Sequence, residues 1–117
     1  MSLPNIGPAQ ARRLIDEGAV LVDVREASEF ARERVPGARN LPLSTLGRVQ
    51  RAGASAVIFH CKSGMRTRTN AQRLAEAADG KAYVLEGGID AWKRAGLPVA
   101  TDTPDRPRGS LWARLWR

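Results

Sequence analysis

The chain has 117 residues, 43% of them apolar, which is enough for one domain with a single core and therefore for one active site at most. Nineteen Lys and Arg against twelve Asp and Glu give a net charge of +7, which attracts anions; the arginines are scattered and no nucleic-acid-binding motif accompanies them, so small anionic substrates fit better than RNA or DNA. One cysteine excludes an internal disulfide and a zinc site of several thiolates, no apolar run approaches the length of a membrane span, and the N-terminal MSLPNIGPAQARR lacks the order of a signal peptide; the body of the chain is expected to be soluble and cytoplasmic.

PAQARRLID (8–16) opens with a proline suited to the first helical turn, spaces its apolar residues helically and precedes Gly18, which predicts a helix. AVLVDV (19–24) is a nearly continuous Val- and Leu-rich run, the pattern of a strand covered on both faces. ASEFARER (27–34) predicts a short helix, VPGARNLP (35–42) a turn leading into a short extended piece, and STLGRVQRAG (44–53) another helix begun by a Ser or Thr cap. SAVIFHC (55–61) reads as a second buried strand. TRTNAQRLAEAAD (67–79), with apolar positions at 71, 74, 75 and 78, predicts a helix ending before Gly80. KAYVL (81–85) is a third strand, EGG (86–88) a tight turn and IDAWKRAG (89–96) a last helix stopped by Gly96 and Pro98.

Strands alternating with helices at this spacing predict an α/β fold with a central parallel sheet and helices on both faces. Ligands of such sheets bind at the carboxyl ends of the strands, where Asp23, Cys61 and Gly87 fall. Residues 100–117 form a basic, Trp-containing tail or linker. Leu111, Trp112, Leu115 and Trp116 share one helical face, which either packs back on the domain, stays unstructured, or anchors the chain at the inner face of a membrane.

FHCKSGMRT (59–67) carries the chemistry. A cysteine at the end of a strand, with a helix a few residues on, sits where free N–H groups and the helix dipole favour negative charge, which stabilises a thiolate. Lys62 and Arg66 act in the same direction, and Gly64 permits a turn that aims successive N–H groups inward as an anion nest. The alternative is a buried, unreactive thiol, which leaves the glycine, the basic residues and the following helix unexplained; a partly exposed, reactive Cys61 is the expectation. Strand alternation turns His60 away from the loop if Cys61 faces it, so His60 is read as a packing or hydrogen-bonding residue. Thr67 is expected to cap the following helix and to bring its hydroxyl toward the sulfur; Asp23 reads either as a plain strand-end carboxylate with no function or as a partner of Arg66 or Arg25.

The stretch is similar to the signature of cysteine-dependent phosphatases, in which His-Cys is followed by five residues, an arginine and Ser or Thr. Here only four residues, Lys62 to Met65, precede Arg66 and Thr67, and the narrower ring suits one extra sulfur better than a tetrahedral phosphate. That shorter loop resembles rhodanese-like sulfurtransferases. The likeness covers about residues 5 to 99 of a domain taken as 1–99: LVDVREASEF, RVPGARNLP, HCKSGMRT and EGGIDAWKRAGLPV stand in the order of the family's motifs. Among relatives it resembles most the membrane-associated, single-domain rhodaneses.

The resemblance implies the rhodanese α/β fold and transfer of sulfane sulfur from a donor such as thiosulfate to a thiophilic acceptor, cyanide or an external thiol. Cys61 would carry a persulfide, held by the N–H groups of residues 62 to 66 (Lys62, Ser63, Gly64, Met65 and Arg66), with Thr67 beside it and Asp23 and Arg25 in support. Arg66 would orient the loop and attract the donor, Lys62 would steer it or stand as a solvated charge, and no cofactor or metal is implied. With no second cysteine, the acceptor must come from outside the chain. Gly87 and Gly88 are expected to let the chain pass close to the loop, and Trp92 to sit in the core. Glu33 and Arg34 stand where many relatives have Gly-His, and Ser63 where some carry a basic residue, which alters the rim of the site. The competing readings are a phosphatase or arsenate reductase on the same fold, and a non-enzymatic sulfur carrier or docking module.

Overall fold

The computed structural model of the protein describes residues 3–101. In chain order the elements are β1 (Asn5–Ile6), α1 (Pro8–Asp16), β2 (Val20–Asp23), α2 (Ala27–Arg32), β3 (Glu33–Arg34), β4 (Arg39–Asn40), a 3-10 turn (Leu43–Thr45), β5 (Val57–His60), α3 (Met65–Thr69), α4 (Ala71–Ala78), β6 (Ala82–Leu85), α5 (Gly88–Arg94) and β7 (Ala100–Thr101). Five strands pair in the order β1-β6-β5-β2-β4, every neighbour parallel.

The apolar runs form the central strands because both of their faces are covered. Along β5 successive side chains alternate between two cores: Ile58 joins one cluster, Val57 and Phe59 the other, and all three are fully buried. The first cluster is closed by α1 and α5, through Ala11, Ile89 and Trp92; the second by α4, through Leu74, Ala77 and Ala78. Each such large side chain contributes roughly 1.5–3 kcal/mol by leaving water. Trp92 is in the core as expected, and its indole N–H donates to the Pro98 carbonyl at 2.8 Å.

The structure departs from the sequence-based expectation in three places. Residues 44–53 are not a helix: after the 3-10 turn the chain runs without regular structure to a turn at Ala52 and Gly53, with Val49 buried at 2% exposure and its N–H bonded to Ala77 O at 2.9 Å, and with the Arg39 guanidinium on Gln50 O. Intrinsic helix preference is weak, Gly47 lowers it further, and insertion of Val49 beneath α4 decides the segment. The helix expected over 67–79 begins earlier, at Met65, and breaks at Asn70 (φ −113°, ψ 24°), whose side-chain amide donates to Arg66 O at 2.8 Å in competition with the backbone ladder. Finally, β1, β3 and β7 are two-residue strands, too short to carry an alternation signal; β3 ends the helix expected over 27–34 at Arg32, and β7, in the stretch read as tail, pairs antiparallel with it. The Leu111, Trp112, Leu115 and Trp116 face lies outside the described residues.

Candidate active site

β5 ends at His60 and delivers Cys61 to the start of a turn closed by Gly64, which adopts φ 99° and begins α3. The Gly64 N–H donates to Cys61 Sγ at 3.1 Å. Thr67 does not cap the helix; it lies inside α3, where its buried hydroxyl donates to Gly64 O at 3.0 Å and sits 3.8 Å from Sγ. Sγ is therefore ringed on one side by an amide and a hydroxyl. At 1% exposure Cys61 lies deeper than the partly exposed thiol the sequence predicts, because the loop folds over it.

Behind the loop, the start of α5 fixes its carbonyls. Ile89 N–H donates to Cys61 O and Asp90 N–H to Lys62 O, both at 3.0 Å. In trans peptides the N–H lies opposite the C=O, so this arrangement directs the amides of Lys62 and Ser63 away from α5. The approach requires Gly88: a Cβ there would lie 2.4 Å from Cys61 O and 2.5 Å from Lys62 O.

His60 is completely buried. Its Nδ1 donates to Cys61 O at 3.0 Å, since a carbonyl only accepts, while Nε2 lies 3.6 Å from Asp23 Oδ2 with no hydrogen-bond partner among the described residues. Burial, only partly opposed by the Asp23 charge, lowers the His60 pKa from its ordinary 6.5 and keeps the ring neutral. Asp23 pairs with Arg25, not Arg66: it takes the Arg25 amide at 2.9 Å and the guanidinium at 2.7–3.0 Å. Arg25 Nη2 also reaches Glu33 O, and the Asn40 side chain donates to the carbonyls of Asp23 and Arg25. Asp23 and Arg25 thus tie together the ends of β2, β3 and β4 beside the loop.

Arg66 turns to α2. Its Nη1 and Nη2 lie 2.9 and 3.0 Å from the two carboxylate oxygens of Glu29. The Arg66 hydrogen bonds are the main cause holding the Glu29 carboxyl down at about 2, and the same bonds raise the Arg66 pKa. Lys62 Nζ lies 3.2 and 3.3 Å from the Asp90 carboxylate. Ser63 and Met65 are exposed at the rim, Met65 at 63%. A cleft of about 150 Å³ beside the loop is lined by Asn5, Gly64, Arg68, Val84, Glu86 and Gly87. Sequence reasoning missed Glu29, Asp90 and Asn40. Glu29 alone had a readable signal, the carboxylate spacing of a capping box with Glu26, which the structure contains.

Residues 7–95 match the family model of the rhodanese-like domain. The chain belongs to the rhodanese-like family. GlpE of Actinobacillus succinogenes, a thiosulfate sulfurtransferase by name, is 38% identical over 104 residues, covering 86% of this rhodanese-like chain and 94% of that protein. An uncharacterized protein of Synechocystis is 41% identical over 97 residues; the alignment takes 80% of this chain and 54%, about half, of that one. Among solved structures, the thiosulfate sulfurtransferase of Pseudomonas aeruginosa superposes with a TM-score of 0.75 at 25% identity, over 85% of this chain and 19% of that chain. The rhodanese-like domain of Anabaena, at 23% identity and a TM-score of 0.69, shares the fold over 87% of this chain and 85% of that chain. These findings do not extend to the likeness with membrane-associated rhodaneses; among the described residues no helix is long and apolar enough to cross a membrane.

Proposed function

We propose that this rhodanese-like chain is a sulfurtransferase of the thiosulfate type, working through a persulfide on Cys61. The observation that carries the reading is the Gly64 N–H on Cys61 Sγ at 3.1 Å, in a loop one residue shorter than that of the cysteine-dependent phosphatases. The names of the GlpE relatives support the choice of donor.

The Cys61 thiolate attacks the outer sulfur of thiosulfate. The S–S bond of the donor breaks, sulfite leaves with the electron pair, and the outer sulfur stays on Cys61 as a persulfide anion. The loop amides and the Thr67 hydroxyl stabilise that charge. Cyanide or an external thiolate then attacks the terminal sulfur, and Cys61 thiolate departs. Arg66, fastened to Glu29, holds the loop in register more than it binds donor, and Asp23 and Arg25 secure the strand ends beneath it.

Intact-mass spectrometry after incubation with thiosulfate tests the reading: a gain of one sulfur, about 32 Da, as a protein persulfide, removed by cyanide and absent in Cys61→Ser. No gain with several sulfur donors overturns it, and release of phosphate from an aryl phosphate would favour the phosphatase alternative.

A further inference from the structure

Both terminal nitrogens of Arg66 are engaged by a carboxylate of the protein itself. Glu29 meets them in a forked pair, and the geometry is held from the other side as well: Glu29 Oε2 accepts the Glu26 N–H at 3.1 Å as half of a reciprocal capping box, and the Glu26 carboxylate takes the Ser44 hydroxyl at 3.2 Å. The fork that Glu29 fills is the same pair of parallel donors that a phosphate or sulfate oxyanion would use. The loop's other cation, Lys62, also faces an internal carboxylate, Asp90. A loop rich in N–H groups, on a chain of charge +7, would otherwise collect tetrahedral oxyanions indiscriminately.

Resting on the sulfurtransferase reading, we propose that Glu29 is a specificity-determining residue that acts through Arg66: by occupying the guanidinium fork it sets the site against phosphate- and sulfate-like anions, so that a donor is recognised through its sulfur end. Thiosulfate, itself doubly charged, is admitted against this bias, and its affinity is held down by the same contact.

The test compares wild type, Glu29→Gln, Glu29→Asp and Glu17→Gln. The last removes an exposed carboxylate at the end of α1, at the amino end of β2 and so on the far side of the sheet from Arg66, and controls for net charge. Protection of Cys61 from neutral iodoacetamide by inorganic phosphate reports anion binding without any turnover, and KM and kcat for thiosulfate are read alongside. For a half-exposed forked pair, Glu29→Gln should be protected at about three- to tenfold lower phosphate, with KM for thiosulfate falling by a similar factor and kcat nearly unchanged. Glu29→Asp and Glu17→Gln should stay near wild type. Unchanged or weaker phosphate protection in Glu29→Gln overturns the proposal, as does an equal gain in Glu17→Gln. Should Glu29→Gln fail to fold, Glu29→Ala, which removes the carboxylate from the fork and keeps a good helix former in α2, must shift protection in the same direction, and no shift overturns the proposal. If wild type takes up no sulfur from thiosulfate, the sulfurtransferase reading falls while the phosphate comparison still decides the role of Glu29.

Discussion

The Thr67 hydroxyl donates to Gly64 O and therefore turns a lone pair toward the Cys61 thiol. Once the sulfur is charged, the hydroxyl serves it only by rotating to donate, so Thr67→Val should slow Cys61 alkylation at fixed pH by about tenfold, the worth of a hydrogen bond to a charged group. Titration gives two further residue-scale expectations. Burial lowers the His60 pKa below 6.5, so the unfolded chain binds a proton that the folded chain refuses. Stability from this site is complete above 6.5 and declines as pH falls below it, by at most about tenfold in the unfolding constant per pH unit. Urea midpoints should drop more steeply on acidification in wild type than in His60→Asn, whose amide still reaches the Cys61 carbonyl. Glu29 acts lower down: its pKa is depressed from 4.5 to about 2, so its contribution is present above 4.5 and is lost as pH falls toward 2. Glu29→Gln should flatten the acid limb of the stability curve in that window alone.

At the scale of elements, the turn before α5 and the active loop are one unit, because Ile89 and Asp90 hold the loop carbonyls and Gly88 lets the two backbones touch. Gly88 has φ 60°, so a side chain there is strained as well as crowded. Gly88→Ala should cost at least about 1–3 kcal/mol, by backbone strain alone, and should displace the loop. A fall in the melting temperature together with loss of sulfur uptake would register both effects. The irregular strap against α4 is held by Val49; Val49→Ala should cost about 2 kcal/mol in chemical denaturation, from lost burial and the cavity left behind.

Across the whole molecule, the charge of +7 acts on anionic donors from a distance, while Lys62 and Arg66 of the loop face carboxylates. Donor attraction therefore belongs to the long-range field, which salt screens over ~10 Å at 0.1 M. Raising ionic strength should lower kcat/KM for thiosulfate while leaving kcat alone; no salt dependence would refute this. The parallel sheet, its helices on both faces and the placement of Cys61 at a strand end were legible in the sequence, because each rests on local periodicity and on residues within one turn. Glu29 on Arg66, thirty-seven positions away, and Asp90 on Lys62 were not, since a surface carboxylate carries no local mark of its partner. The same reason hid the strap at 44–53, which is decided by what packs against it, whereas the break at Asn70 is local, its side-chain amide competing for Arg66 O within one turn. By itself the sequence determined a strand, a cysteine and a short glycine turn in that order. Only the tertiary structure decided that the sulfur is buried, which amide and hydroxyl meet it, and which carboxylates neutralise the loop, because those depend on distances between segments that chain order does not contain.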